Sequence, residues 1–281
     1  GLFRDLASRR EALRGGGRVI GRLARIAGAY FRSALQEEFA YRGDLFGNVI
    51  RSVLNLGTAI GGVAVIFSHT ETLGGWTLGQ TLSLLGIFVF VNGFVAMFMS
   101  PSLNRVVEEV REGTFDYVLM KPVPALFLAS ARRFAVWHVS DIVLGAIVLG
   151  VALAGLDVRA SGWGVLLFVA LLACGVAIVY AIWLALTTLV FWFVRVANVT
   201  MIFNLFFQTG RYPIEVYPFW LRQLLTFVFP VAFVTTVPAQ AVTGRDPSWL
   251  VWVAPVIAVV AVLTATRFWR FGLSRYTSAS S

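Results

Sequence analysis

The chain has 281 residues, of which 58% are hydrophobic and only 13% charged, and its mean hydropathy is +0.81. Soluble domains are about a quarter charged, so the composition excludes an ordinary soluble globular protein and points to a bilayer. The charge is one-sided, 23 Lys plus Arg against 14 Asp plus Glu for a net +9, but the basic residues flank apolar runs, which favours a membrane surface over nucleic acid.

Residues 1–25 are rich in arginine but hold no continuous apolar core before a small-residue cleavage site, so no signal peptide is expected. Arg18, Arg22, Arg25, Arg32 and Gln36 recur at helical spacing, while Ile20, Leu23, Ala27, Tyr30, Phe31 and Ala34 take the opposite face. That pattern predicts an amphipathic helix lying along the inner leaflet, arginines towards phosphates; packing on a soluble partner is the alternative.

A span needs about 20 apolar residues or somewhat fewer. Six segments qualify: Ser52–Ser68, Leu78–Ser100, Phe134–Gly155, Trp163–Val194, Ala197–Gln208 and Leu250–Trp269. The fifth is short and carries Asn198, Asn204 and Gln208. Gly57, Gly61 and Gly62 give the first span a small-residue face suited to close helix packing. Trp76 and Trp163, at outer span ends, fit an aromatic belt. Both termini on one side leaves 19 of the 23 basic residues there, against Arg159, Arg211, Arg222 and Arg245 on the other. The positive-inside rule makes that side the cytoplasm, and six spans satisfy the parity.

Between the second and third spans lie Glu108, Glu109, Glu112 and Asp116, four of the 14 acids, and the only lysine, Lys121. Ser102 is placed to cap a helix in which Leu103, Val106, Val107 and Val110 fall at i, i+3, i+4 and i+7. Gly113 is its natural stop, and Thr114 or Asp116 caps a second short turn halted by Pro122. Such a bent amphipathic element suits docking onto a soluble partner; a solvated loop is the plain alternative.

In the third span His138 and Asp141 share a helix face, Asp141 roughly 12 Å beyond Arg133 at 1.5 Å per residue. A charge there must face protein or water. The two are read either as a cation or proton site on a pathway or as a satisfied structural contact, and the structural reading is preferred. Beyond the fifth span, Pro213, Pro218, Pro230 and Pro238 break Gly210–Gly244 into pieces too short to cross. The region reads as a helical hairpin dipping into the outer leaflet, its breaks covered by protein.

Some chemistry is missing. A Walker A loop needs Lys between Gly and Ser or Thr, whereas Lys121 lies between Met120 and Pro122. The lone Cys174 excludes an internal disulfide and a cysteine metal cage. No cluster has metal-ligand spacing and nothing assembles a catalytic triad, so no enzyme activity and no cofactor are expected in this chain.

The stretch REGTFDYVLMKPVP, Arg111–Pro124, resembles the motif (basic, Gly-Thr-Leu-Asp, apolar pair, basic, Pro) of type-2 ABC exporter permeases, most of all a bacterial subfamily encoded as paired permeases beside one ATPase. The likeness continues in LGGWT (Leu73–Thr77), RYPIEVYPFWLR (Arg211–Arg222), FPVAFVTTVPAQ (Phe229–Gln240) and SRYTSAS (Ser274–Ser280). Phe115 stands where the pattern usually has Leu, and Thr236 where an aromatic is commoner.

The resemblance implies an all-α membrane protein: six transmembrane helices, an N-terminal elbow helix, a cytoplasmic coupling helix and an extracellular re-entrant hairpin. Residues 1–50 would form the cytoplasmic segment and 51–281 the transmembrane domain, with coupling segment 101–128 and hairpin 210–244. Val106, Glu108, Glu109, Glu112, Gly113, Thr114, Phe115 and Asp116 would contact an ATP-binding cassette subunit, with a minor contact around Arg195. The implied assembly holds two ATPase copies, which carry ATP and Mg, and a second permease chain, identical or paralogous. It would sit in the bacterial inner membrane and export an amphipathic, lipid-like or drug-like cargo, with no nucleic-acid partner. A proton-coupled secondary carrier using Asp141 and His138 is the alternative, though the second broken helix usual in such carriers is missing. A membrane enzyme would need clustered polar catalytic groups that the sequence does not show.

Overall fold

A computed structural model describes residues 21–38, 42–156, 162–193, 197–246 and 248–276. Arg18, Ile20, Arg195 and the last residues of the SRYTSAS block lie outside the described residues. The long helices are α1 (residues 21–38), α2 (Arg42–Phe67), α3 (Leu78–Phe98) and α4 (Ser100–Glu112). Two short ones follow, α5 (Asp116–Leu119) and α6 (Ala125–Ala131), before α7 (Val139–Ala154), α8 (Gly162–Thr188) and α9 (Ala197–Gln208). The chain ends with α10 (Phe219–Gln223), α11 (Thr236–Val242) and α12 (Leu250–Arg275). Among the described residues the only strand-like pairing is one antiparallel bridge between Leu73 and Trp76.

Five helices are long and apolar enough to cross a membrane: Phe46–Phe67, Leu78–Phe98, Val136–Ala154, Gly162–Phe191 and Leu250–Arg275. They match five of the six expected spans. The first starts well before Ser52, because Arg42 and Arg51 are carried on the same helix. The amphipathic pattern of α1 is realised: Leu23, Ala27, Tyr30, Phe31 and Ala34 are half-buried and Arg22, Arg25 and Arg32 exposed. Phe31 stacks on Phe98 at 6.4 Å and meets Phe134 edge-on at 5.5 Å, fixing α1 to the C-terminal end of α3.

The most enclosed span is α3, with 61% of its window buried against 11% for α2. Its tightest neighbour is α7. A Cβ at Gly86 would lie 2.6 Å from the backbone nitrogen of Leu149, and one at Gly145 2.4 Å from that of Phe90. Gly79 and Gly93 close the same seam at its two ends, against Leu156 and Asp141. Gly79, Gly86 and Gly93 are seven residues apart, so they fall on one helix face and let the two backbones approach. The small-residue face expected on the first span has no such partner: nothing lies within 4 Å of a Cβ at Gly57 or Gly61.

The fifth expected span is only a 12-residue helix, α9, followed by a 3-10 turn over Thr209–Arg211. It falls short because Pro213 and Pro218 forbid continuation. The chain nevertheless climbs along α3. Phe207 packs on Phe88 at 5.7 Å, the hydroxyl of Tyr212 lies 3.8 Å from a Cβ at Gly62, and Glu215 accepts from the Trp76 indole at 3.1 Å.

From there α10 runs through a π turn (Leu224–Val228) to a break at Phe229 and Pro230, then returns through Val231–Phe233 into α11. The two arms are bent by 71° and reach span length only as a pair. Protein covers the residues after the break, Val231, Ala232, Phe233 and Val234, which are at most 2% exposed, with Phe233 and Val234 against Gly175 of α8; Phe229 and Pro230 are half-buried and Phe227 and Val228 exposed. The residues flanking the two arms, Glu215 before them and Arg245 after them, meet at Trp76. Arg245 stacks over the Trp76 ring at 4.6 Å and donates to the Gly75 carbonyl at 2.6 Å. Trp76 is therefore fully buried and joins the segments flanking the bent pair to the start of α3, whereas Trp163 is 68% exposed.

Candidate functional site

The charged segment folds as α4, α5 and α6. Helix α4 starts at Ser100, with Met99 at the N-cap position and Pro101 in its first turn. Ser102 is thus not the cap; its hydroxyl donates to the Arg133 carbonyl at 2.8 Å and accepts from the Arg133 amide at 2.8 Å. Leu103 and Val106 are fully buried, as the spacing predicts. Gly113 ends the helix at φ 70°, a left-handed conformation that favours glycine. Neither Thr114 nor Asp116 caps α5, which begins at Asp116 behind Phe115. Thr114 turns back, its amide donating to the Glu109 carbonyl at 2.8 Å.

The expected contact residues separate into two sets. Val106, Glu109 and Phe115 face inward. Glu109 accepts from Arg132 at 2.6 Å and from Arg105 at 3.2 Å, with the Glu109 and Arg132 side chains each 10% exposed. Breaking one half of a buried pair of this kind costs about 3–5 kcal/mol, so Glu109 ties α4 to the junction between α6 and α7. Phe115 is fully buried. Its ring meets Tyr276 edge-on at 5.6 Å and Trp269 edge-on at 6.4 Å, and is tilted on Phe191 at 5.9 Å. It therefore ties the same element to the ends of α8 and α12. Burial, reinforced by the nearby Asp116 carboxylate, raises the Tyr276 phenol above its ordinary pKa.

The outward set is Glu108, Glu112 and, missed in the sequence, an apolar tip. Tyr117 is 67% exposed and Met120 71%, with Leu119, Lys121 and Pro122 also exposed. Val118, between Tyr117 and Leu119, is buried. The signal was present: large apolar residues sit in the short turn before Pro122 and cannot all point inward. Gly113, Thr114 and Asp116 are half-buried at the edge of this surface.

The second cluster, His138 and Asp141, is also brought together, with His138 Nδ1 2.7 Å from Asp141 Oδ2. Residues 133–135 are not helical, so no straight helix runs from Arg133 and Asp141 lies in the first turn of α7. There the positive end of the helix dipole also favours the carboxylate. Both residues line a cavity of about 170 Å³ with Asn55, Asn92, Arg51 and Arg211. Among the described residues no group of three or more His, Cys, Asp or Glu is placed to hold a metal. Of the four prolines, Pro213, Pro218 and Pro230 precede short helical segments, and Pro238 lies within the first turn of α11.

The architecture is thus a set of apolar helices carrying one charged, inward-clamped element at the end where α4 leaves α3. Comparison with curated proteins and with solved structures returned no significant match. The sequence profile described as ABC-2 family transporter protein matches residues 53–280, and membership implies a multi-pass membrane transport component that associates with an ATP-binding subunit. The chain belongs to the ABC-2 family of transporter proteins.

Proposed function

We propose that this chain is the permease of an ATP-driven exporter, energised by a separate ATP-binding subunit seated on the α4–α6 element. The observation that carries the proposal is the division of that element. Its outer side offers Tyr117, Met120, Glu108 and Glu112 to a partner. Its inner side is bolted through Glu109 to Arg132 and through Phe115 to Trp269 and Tyr276. A push on the outer side is delivered to α7 and to α12 at once, as rigid-body switching between inward and outward access requires.

In this reading α1 is the elbow helix on the inner leaflet. The bent pair α10–α11 is a re-entrant hairpin at the outer end, supported by the meeting of its flanking residues Glu215 and Arg245 at Trp76. The sixth crossing is α9 with the climbing segment to Glu215, which keeps both termini in the cytoplasm of a bacterial inner membrane. The open face of α2 around Gly57 and Gly61 suits a second permease chain, identical or paralogous, and each permease would bind one ATP-binding subunit. The cargo is amphipathic or lipid-like. Family membership supports ATP over proton coupling, and the His138–Asp141 pair is mutually satisfied.

The test is charge reversal on the outer side alone. Glu108→Lys with Glu112→Lys is expected to abolish permease-stimulated ATP turnover of the partner while leaving the permease folded, because both carboxylates are exposed. Normal stimulated turnover and transport in that double variant would refute docking at this surface.

A further inference from the structure

We propose that the cavity between α2, α3 and α7 binds the anionic headgroup, phosphate or carboxylate, of the transported amphiphile through Arg51 and Arg211. The proposal rests on the exporter reading and narrows its cargo. Among the described residues the titratable groups lining this cavity are Arg51, Arg211, His138 and Asp141. The Asp141 carboxylate is engaged by His138 at 2.7 Å. Neither arginine has a carboxylate partner among the described residues. The cavity is therefore a positive hole, with the amides of Asn48, Asn55 and Asn92 on its wall as further donors.

Depth makes this arrangement unusual. Phe88 lies at the middle of the span α3, and the Arg211 guanidinium stacks over its ring at 5.5 Å. A cation at mid-depth is costly unless an anion or water accompanies it, and intramembrane charges are retained where they meet a pathway or ligand. The contact with Phe88 engages no N–H of the guanidinium in an ion pair, so its donors can bind a planar or tetrahedral anion in bidentate fashion. Towards the outer ends of the same three helices runs an apolar groove of about 430 Å³, lined by Ile60, Leu82, Ile147 and Val151 among others. It takes the alkyl tail of the same molecule. A polar hole below an apolar groove on one seam fits a charged head joined to a hydrocarbon chain.

The probe is radiolabelled dodecyl phosphate, titrated onto the full-length permease in neutral maltoside micelles with no ATP-binding subunit present. Saturable binding near one per chain is expected. It should weaken about tenfold or more in Arg51→Gln with Arg211→Gln, since charge-assisted bonds are lost, and recover in the Lys versions. Asn92→Asp, which places a second carboxylate in the cavity, should weaken it as well. If Arg211→Gln does not fold, Arg51→Gln and Asn92→Asp decide. Competition by excess unlabelled dodecyl phosphate but not by inorganic phosphate would identify an amphiphile headgroup; equal competition by inorganic phosphate would identify a free anion and overturn the cargo assignment. Unchanged binding in the folded variants, or equal binding of dodecanol, would overturn the site. Because binding is read without ATP, its failure leaves the exporter reading standing, and loss of ATP coupling with binding intact would count against the exporter reading alone.

Discussion

Leucine at Gly145 is expected to prevent the protein from reaching a stable folded state. A Cβ there already lies 2.4 Å from the Phe90 nitrogen and 2.8 Å from the Gly86 carbonyl, both backbone atoms that cannot rotate aside. Alanine at Gly86 or Gly145 forces the helices apart and costs about 1–3 kcal/mol by overpacking; leucine adds three more carbons to the same gap. Lipid supplies little hydrophobic drive between spans, so the loss of close packing between α3 and α7 is not recovered elsewhere. Fluorescence-detected size exclusion after graded heating reads the effect. Gly145→Leu should give no monodisperse peak and Gly86→Ala a lowered midpoint. Gly57→Ala and Gly61→Ala, with nothing within 4 Å, should leave the isolated chain unchanged. A wild-type midpoint for Gly145→Leu would mean the seam is not as close as described.

Phe115→Ala is expected to separate binding from transmission. The ring is fully buried among Phe191, Trp269 and Tyr276, and its loss costs about 3–5 kcal/mol of packing. The exposed side chains proposed as the docking surface, Glu108, Glu112, Tyr117 and Met120, stay in place, so the complex should still form. What weakens is the link from α5 to α8 and α12. Expressing only about 1.4 kcal/mol of that loss in the driven step slows it about tenfold. Phe115→Leu keeps most of the apolar volume and should retain most of the activity. Co-purification together with ATP-driven transport in vesicles measures both quantities. Unaltered transport in Phe115→Ala would show that the aromatic box carries no motion.

The sequence showed the helical membrane class and five of the long spans, because a bilayer requires length and hydropathy and both are read directly from composition. It also showed the buried side of α4 as far as Leu103 and Val106, since a period of 3.6 needs only local residues. The resemblance implies a contact role for Glu109, yet it is buried; its partner Arg132 is 23 residues away, and no local pattern reveals such a pairing. Trp76 looked like a belt residue for the same reason: Glu215 lies 139 residues further on. Phe115 is in a stretch that the resemblance makes a contact surface, yet three aromatic side chains from the ends of α8 and α12 converge on it. The α3–α7 seam was written in the seven-residue spacing of Gly79, Gly86 and Gly93, but α3 is apolar all round, so hydropathy drew no attention to one face. The short α9 shows that proline position decides where a span can end.

The most direct test of the central claim is site-specific photo-cross-linking of the permease co-expressed with its ATP-binding subunit. A photoreactive residue at Tyr117 or Met120, the exposed tip of the charged element, should form adducts with that subunit. One at Trp163, exposed at the far end of α8, should form none. Adducts from Trp163, or none from Tyr117 and Met120 in a complex that turns over ATP, would contradict the account.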